Sequence, residues 1–399
     1  MKTMVLDGNA AAAEAIILAK IPIVAAYPIT PQSPLVEKLA VMQEKEAYCG
    51  KCVCVESEHS AAAYAIGVQL TGIRCATATS SVGLALMHEV LGVASGCRVP
   101  IVMPIVNRAL VSPWSLWCDH QDTMAERDSG WIQFYAENAQ EVFDLIIAGY
   151  RIAEHEDVLL PMMVCMDGFF VSHAVQKVET IPPAEVEAFI GPYCAKNLFL
   201  DTGAPMFINT LTSPEEFTEM RYQQETAFHS AEKVADQIFL EFGEKFGRHY
   251  ELVSSYRCDD ADAILIGLGS MCGTIKQVVK DMRGEGYKVG MIKITSFRPF
   301  PRESLMRVIP LKGCPIGVID RSAGLGTDHG PMFAEVEHAL RSTNHQTFSI
   351  IAGLGGRDIG EKIIKEAFLM LLDGNIPHRK TWIDVKDAPD QIRPWRYKL

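Results

Sequence analysis

Short apolar runs alternate with amphipathic stretches along the first part of the chain. Residues 21–27, 53–56, 74–79, 99–106 and 159–166 read as strands. Residues 34–46, 59–70, 82–94 and 140–155 carry apolar positions at helical spacing between them. Strands alternating with helices predict a parallel, doubly wound α/β sheet. Residues 181–214 break the pattern with Pro182, Pro183, Pro192, Pro205 and Pro214 and read as an extended excursion over the surface. A long helix is then expected. Ser213 is placed to cap it, Pro214 suits its first turn, and Glu216 would close a capping box. Phe217, Met220, Gln224, Phe228, Ala231, Ile238, Phe242 and Phe246 follow along one face.

Alternation restarts near Tyr256. Residues 263–268, 289–294, 316–319 and 348–352 read as strands, and 274–285, 302–308 and 332–341 as helices. The chain thus divides into residues 1–250, with the long helix as connector, and a smaller α/β unit with a tail, residues 251–399. The tail from Ile376 is rich in prolines and charges and is expected to stay exposed or to cross a neighbour.

Composition narrows the class. With 399 residues, 48 % apolar and 22 % charged, the chain can bury a full core. A net charge of −12 argues against a nucleic-acid surface. No apolar run reaches the ~18 residues of a membrane span. Glu14 and Lys20 interrupt the apolar stretch where a signal peptide needs an unbroken core. A cytoplasmic location is expected. The 11 cysteines are scattered. Cys49, Cys52 and Cys54 cluster, yet no second pair completes a metal set, and no cluster-type run of cysteines is present. No metal is expected on this chain. The turns at Gly267-Leu268-Gly269, Gly324-Leu325-Gly326 and Gly353-Leu354-Gly355 lack the third glycine of a dinucleotide fingerprint, so tight turns at strand ends explain them better.

Five segments of the first unit carry a resemblance: Tyr27-Pro28-Ile29-Thr30-Pro31, Val55-Glu56-Ser57-Glu58-His59-Ser60-Ala61, Thr77-Ala78-Thr79-Ser80-Ser81-Val82-Gly83-Leu84, Asn107-Arg108-Ala109-Leu110 and Arg127-Asp128-Ser129-Gly130-Trp131-Ile132-Gln133. Phe297-Arg298-Pro299-Phe300-Pro301 and Gly353-Leu354-Gly355-Gly356-Arg357-Asp358 extend it into the second. In this order they resemble the alpha chain of the 2-oxoacid:ferredoxin oxidoreductases, over nearly the whole length.

The resemblance implies a pyrimidine-type thiamine diphosphate domain followed by a transketolase C-terminal-like domain. It also implies oxidative decarboxylation of a 2-oxoacid, pyruvate foremost, with coenzyme A, and electron transfer to ferredoxin. Thiamine diphosphate would be shared with a beta chain. Mg²⁺ and [4Fe-4S] clusters would sit on partner chains, with gamma- and delta-type subunits completing the complex. Met166-Asp167-Gly168 is the nearest match to the diphosphate motif, but it lacks the first glycine and the following asparagine.

By the same resemblance, Glu58 is the carboxylate that bonds the cofactor's aminopyrimidine, with Pro28, Ile29 and Ser81 beside the cofactor. Arg108 would receive the substrate carboxylate, and Thr30 would hydrogen-bond the substrate. Each position has a plainer reading. Glu58 could be an acidic first-turn residue favouring the helix dipole, and Glu56 is a rival carboxylate. Arg108 could pair with Asp119 or Asp128, and Thr30 could end a strand. His59 and His120 read as packing or hydrogen-bonding residues. The loop after Arg108 departs from the pyruvate-type pattern at Trp114 and Cys118, which leaves a bulkier or aromatic 2-oxoacid such as phenylglyoxylate as a rival substrate and oxalate as a weaker one. A non-catalytic scaffold subunit is the reading from another class. Intact Thr30, Glu58 and Arg108 oppose it.

Overall fold

The computed structural model describes residues 2–111, 113–195, 198–374 and 380–385. Its first sheet has seven strands in the order Ser296–Arg298, Ile132–Ala136, Met162–Asp167, Val102–Asn107, Cys75–Ala76, Ile23–Ala26 and Lys51–Cys54. All but the first of these run parallel. The central strands Val102–Asn107 and Met162–Asp167 are buried at every position, because helices cover both faces. Helix Ala139–Glu154 packs on this sheet and on helix Gly8–Leu18. Asn138 caps the former, its side chain accepting from Glu141 N at 3.0 Å.

The second sheet has the order Thr381–Trp382, Gln346–Ile351, Pro315–Asp320, Ala263–Gly267, Val289–Ile294 and Val253–Tyr256, parallel except for the last strand. Helices Met271–Gly284, Pro331–Leu340 and Glu361–Asp373 pack on it.

The two halves share backbone. After leaving the second sheet, the chain places Ser296–Arg298 antiparallel to Ile132–Ala136, as an edge strand of the first sheet. Lys293 reaches across to Glu137 at 3.0 Å and to Glu141. The helix Pro214–Phe246 has 33 residues, or about 50 Å at 1.5 Å per residue. Its middle and end bury Ala227, Ala231, Ala235, Ile238, Phe239 and Phe242.

Several expectations change. The pattern-less segment contains a helix, Pro183–Ile190, that buries Val186, Phe189 and Ile190. About two turns, opening at a proline, are too short to show a period. Phe217 and Met220, expected on the buried face of the long helix, are both 53 % exposed, because its first turns extend beyond the packed surface. Ser213 stands at the helix start without a side-chain cap bond, and only its carbonyl accepts from Glu216 N at 3.2 Å. Strand Lys2–Leu6, paired antiparallel with Gln176–Thr180, escaped the sequence reading. The expectation for the tail falls mainly on residues 386–399, outside the described residues. Among the described residues, no helix is long and apolar enough to cross a membrane.

Candidate active site

The expected site residues gather at the carboxyl end of the first sheet, where open parallel sheets bind ligands. The chain leaves strand Lys51–Cys54, and Ser57 caps helix Glu58–Leu70, its hydroxyl accepting from Ser60 N at 3.1 Å. Glu58 therefore falls in the first turn. It is only 7 % exposed, and its carboxylate forms no hydrogen bond with any described residue. Glu56 is exposed and accepts from Ser60 Oγ at 2.7 Å, so its carboxylate is already occupied.

Facing Glu58 is the segment that follows strand Cys75–Ala76. A Cβ on Gly83 would lie 2.6 Å from Glu58 Oε1 and 2.5 Å from Thr79 Oγ1, so only glycine admits the carboxylate there. The hydroxyls of Thr77, Thr79 and Ser80 are buried without hydrogen-bond partners. Leaving such groups unpaired is costly, about 1–3 kcal/mol each, which marks this cradle as shaped for a polar ligand. The residues present fit the pyrimidine side of thiamine diphosphate: an unpaired carboxylate near the unpaired Thr79 hydroxyl, on a glycine-cleared wall.

Arg108 and Ser81 are tied together by Asp122. Its Oδ2 accepts from the backbone amides of Ser81 and Arg108, each at 3.0 Å, and its Oδ1 from Asn107 Nδ2 at 2.9 Å. Burial raises the Asp122 carboxyl, and these bonds oppose the rise. Ser81 takes a left-handed backbone, φ 51°, and its hydroxyl donates to Ala109 O at 2.6 Å. Arg108 is buried, and its guanidinium donates to Thr30 O at 2.7 Å and Ser115 O at 3.2 Å. Neither Asp119 nor Asp128 pairs with it. Asp119 accepts from Gln121 N and Gly355 N, and Asp128 faces Arg127 and Arg298. The Thr30 and Pro28 side chains are exposed, and Ile29 is half-buried.

The loop beyond Arg108 presents Trp114, 78 % exposed, while the Cys118 thiol is fully buried beneath it. His59 lies half exposed, 3.9 Å from Glu89.

Two groups were missed by sequence reasoning. Asp122 is one; the polar run Asp119-His120-Gln121-Asp122 is its only signal. The other is a buried cluster between the halves. His120 Nε2 lies 2.6 Å from Asp167 Oδ1, and Asp167 Oδ2 accepts from Ser270 N at 3.2 Å and from the Ser270 hydroxyl. Arg321 Nε stands 3.9 Å away. Burial pushes the Asp167 carboxyl up, but His120 and Arg321 outweigh it and hold it well below the carboxylate range. Cys118, His120 and Asp167 could in principle hold a metal ion. However, the direct His120–Asp167 bond and the nearby Arg321, whose Nε and Nη1 make no hydrogen bond, make this a buried ion cluster rather than a set of open ligands. A cavity of about 600 Å³ lined by Arg127, Arg221, Gln224, Arg298 and Glu335 includes none of the expected site residues.

Comparison with known proteins decides the family. Residues 14–240 match the thiamine diphosphate-binding domain of pyruvate flavodoxin/ferredoxin oxidoreductases. Residues 261–364 match pyruvate:ferredoxin oxidoreductase core domain II. The pyruvate synthase subunit PorA of Methanocaldococcus jannaschii is 47 % identical over 366 residues, covering 90 % of this chain and 93 % of that protein. The chain belongs to the 2-oxoacid:ferredoxin oxidoreductase family. Within that family, the Thermotoga maritima pyruvate synthase subunit PorA is 45 % identical over 356 residues, 89 % of this chain and 90 % of that protein. The Pyrococcus abyssi ketoisovalerate oxidoreductase subunit VorA is 42 % identical over 390 residues, 96 % and 98 % respectively.

Among solved structures, the 2-oxoglutarate:ferredoxin oxidoreductase of Magnetococcus marinus, with 2-oxoglutarate, coenzyme A and succinyl-CoA bound, superposes with TM-score 0.70 at 22 % identity. It covers 92 % of this chain and 65 % of that one. A split-gene transketolase, described as an inactive beta4 tetramer, gives TM-score 0.53 at 10 % identity, with 92 % and 98 % covered. These two likenesses show the fold. The chain is an oxidoreductase subunit with a thiamine diphosphate-type α/β architecture, as its motifs imply.

Proposed function

We propose that this chain is the alpha subunit of a cytoplasmic complex that oxidatively decarboxylates pyruvate with coenzyme A, giving acetyl-CoA and CO₂. The electron pair passes through iron–sulfur clusters on partner chains to ferredoxin. Thiamine diphosphate, when bound, supplies the nucleophilic carbon and the electron sink for decarboxylation. Glu58 would hold the pyrimidine side by accepting a proton-bearing ring nitrogen at its carboxylate, with Pro28, Ile29 and Ser81 lining the approach. Arg108 would receive the substrate carboxylate on its planar fork. Its orientation is already fixed by Thr30 O and Ser115 O. Thr30 is free to bond the substrate oxygen. Trp114 would face the variable side chain, and Cys118, buried, would act only by supporting the loop.

The diphosphate and its Mg²⁺ belong to a beta chain on this reading. Asp167, the one acid in the nearest diphosphate-like motif, is committed to His120, Ser270 and Arg321. Gamma- and delta-type chains complete the complex.

The observation that carries the proposal is the unpaired, nearly buried Glu58 beside orphaned hydroxyls, on the same strand-end edge as Arg108 and Thr30. The test is an assay of the purified complex with pyruvate, 2-oxobutyrate and phenylglyoxylate, coenzyme A and a viologen acceptor. Pyruvate-dependent, coenzyme A-dependent viologen reduction is expected. Stoichiometric thiamine diphosphate on the isolated chain, or preference for phenylglyoxylate, would contradict it.

A further inference from the structure

The glycine turn of the second half closes directly on the loop that carries one of the arginine's two supports, Ser115 O. Ala109 N donates to Trp117 O at 2.9 Å, which brings together the two ends of the stretch that follows Arg108. The tip of that loop supplies Ser115 O to Arg108 Nε. Trp117 N donates to Ser115 Oγ at 3.2 Å, so Trp117 and Ser115 move together. From the other half, the turn Leu354–Gly356 reaches this loop. Gly356 N donates to Cys118 O at 2.6 Å, and Gly355 N to Asp119 Oδ2 at 3.3 Å.

The approach is close enough to require glycine. Gly356 sits at φ 77°, and a Cβ there would fall 2.3 Å from Trp117 Cβ and 3.4 Å from Cys118 N. The obstacle is the root of a side chain next to backbone, which cannot swing aside as a flexible tip could. Gly355, at φ 58°, would place a Cβ 3.6 Å from Ser115 Oγ. On its other side, the Trp117 ring rests on Phe169 at 4.6 Å between centroids. Trp117 is therefore held between Gly356 on one side and Phe169 on the other, while the rest of the described loop lies largely exposed.

Resting on the reading of Arg108 as the carboxylate anchor, we infer that Gly356 is a positioning residue. Through Trp117 and Ser115, it sets the direction of the Arg108 guanidinium. The second half of the chain thereby enters the substrate site without touching the substrate. Its turn acts as a stop against which the arginine loop is seated.

The test uses the assembled complex. Gly356→Ala should raise KM for pyruvate about tenfold or more with a smaller change in kcat, since small misplacements of a binding group cost up to about a hundredfold. Thiamine diphosphate affinity should stay within about twofold. Gly326 has the same left-handed backbone, φ 78°, but nothing within 4 Å of its Cβ position. Gly326→Ala therefore carries the backbone strain without the contact and should leave KM unchanged. A double-mutant cycle with Arg108→Lys separates this inference from the one beneath it. If Gly356 acts through the arginine, its effect on KM should largely vanish in the Arg108→Lys background. Additive effects, or an equal KM rise in Gly326→Ala, would overturn the positioning role and leave Arg108 as the anchor. An Arg108→Lys variant with normal KM would instead overturn the anchor itself.

Discussion

Glu58 and Asp167 are buried carboxylates at the carboxyl end of one sheet, and their surroundings differ in kind. Asp167 ends a central strand and is answered by His120, Ser270 and Arg321, two of which come from the other half of the chain. Glu58 opens the helix after an edge strand, and no described residue answers it, while hydroxyls beside it are also unpaired. Pairing a buried charge is what a fold does for its own stability. Leaving one unpaired costs stability, and it persists where a ligand supplies the missing partner. The contrast separates residues that join the two halves from residues that wait for a cofactor.

The largest expected effect lies on the paired side. Asp167→Asn leaves the buried His120 and Arg321 without their anion and should destabilise the fold by about 3–5 kcal/mol, seen as a lowered thermal midpoint of the complex. An unchanged midpoint would mean that the cluster does not hold the halves together.

On the functional side, Arg108→Lys should lower kcat/KM for pyruvate, 2-oxobutyrate and phenylglyoxylate by similar factors, of order 2 kcal/mol, because every 2-oxoacid presents the same carboxylate. Trp114→Ala should instead reorder the three substrates, by about 1–3 kcal/mol. Reordering by the arginine variant, with uniform loss in the tryptophan variant, would reverse the two roles.

A further effect is graded with pH. Burial raises the Asp119 carboxyl from 3.8 to about 6, opposed by its bonds from Gln121 N and Gly355 N. A carboxyl raised on folding contributes stability at pH below its unfolded value, and this is lost as pH rises through the folded one. Between pH 4 and 6 the native protein should therefore lose stability relative to Asp119→Asn. Parallel curves for the two proteins would place this titration elsewhere.

Much of this was legible in the residues. The alternation showed both sheets because their central strands are short, buried and separated by amphipathic helices. Thr30, Glu58, Ser81 and Arg108 stood in motifs at strand ends, and the structure brings them to one edge. Other features had no local signature. Ser296–Arg298 crosses between sheets, and three residues cannot show a period. Ile132–Ala136 lies buried between neighbours that are remote in sequence. The His120–Asp167–Ser270–Arg321 cluster unites residues up to 201 positions apart, 321 less 120, so neither histidine nor aspartate betrays its partner. Asp122 escaped for a related reason: its work is done on backbone amides, which leave no mark on side-chain chemistry.

The central claim is that Glu58 is kept unpaired for a ligand at a cost to the fold. Glu58→Gln in the assembled complex tests it, with thermal midpoint and pyruvate turnover measured on the same preparation without added cofactor for the first and with it for the second. A midpoint equal to or above the native one is expected, because the amide is cheaper to bury unpaired. Turnover should fall about a hundredfold, the ~3 kcal/mol of a charge-assisted bond at a developing charge. A midpoint lowered as in Asp167→Asn with near-native turnover would contradict it, and would make Glu58 a structural residue like Asp167.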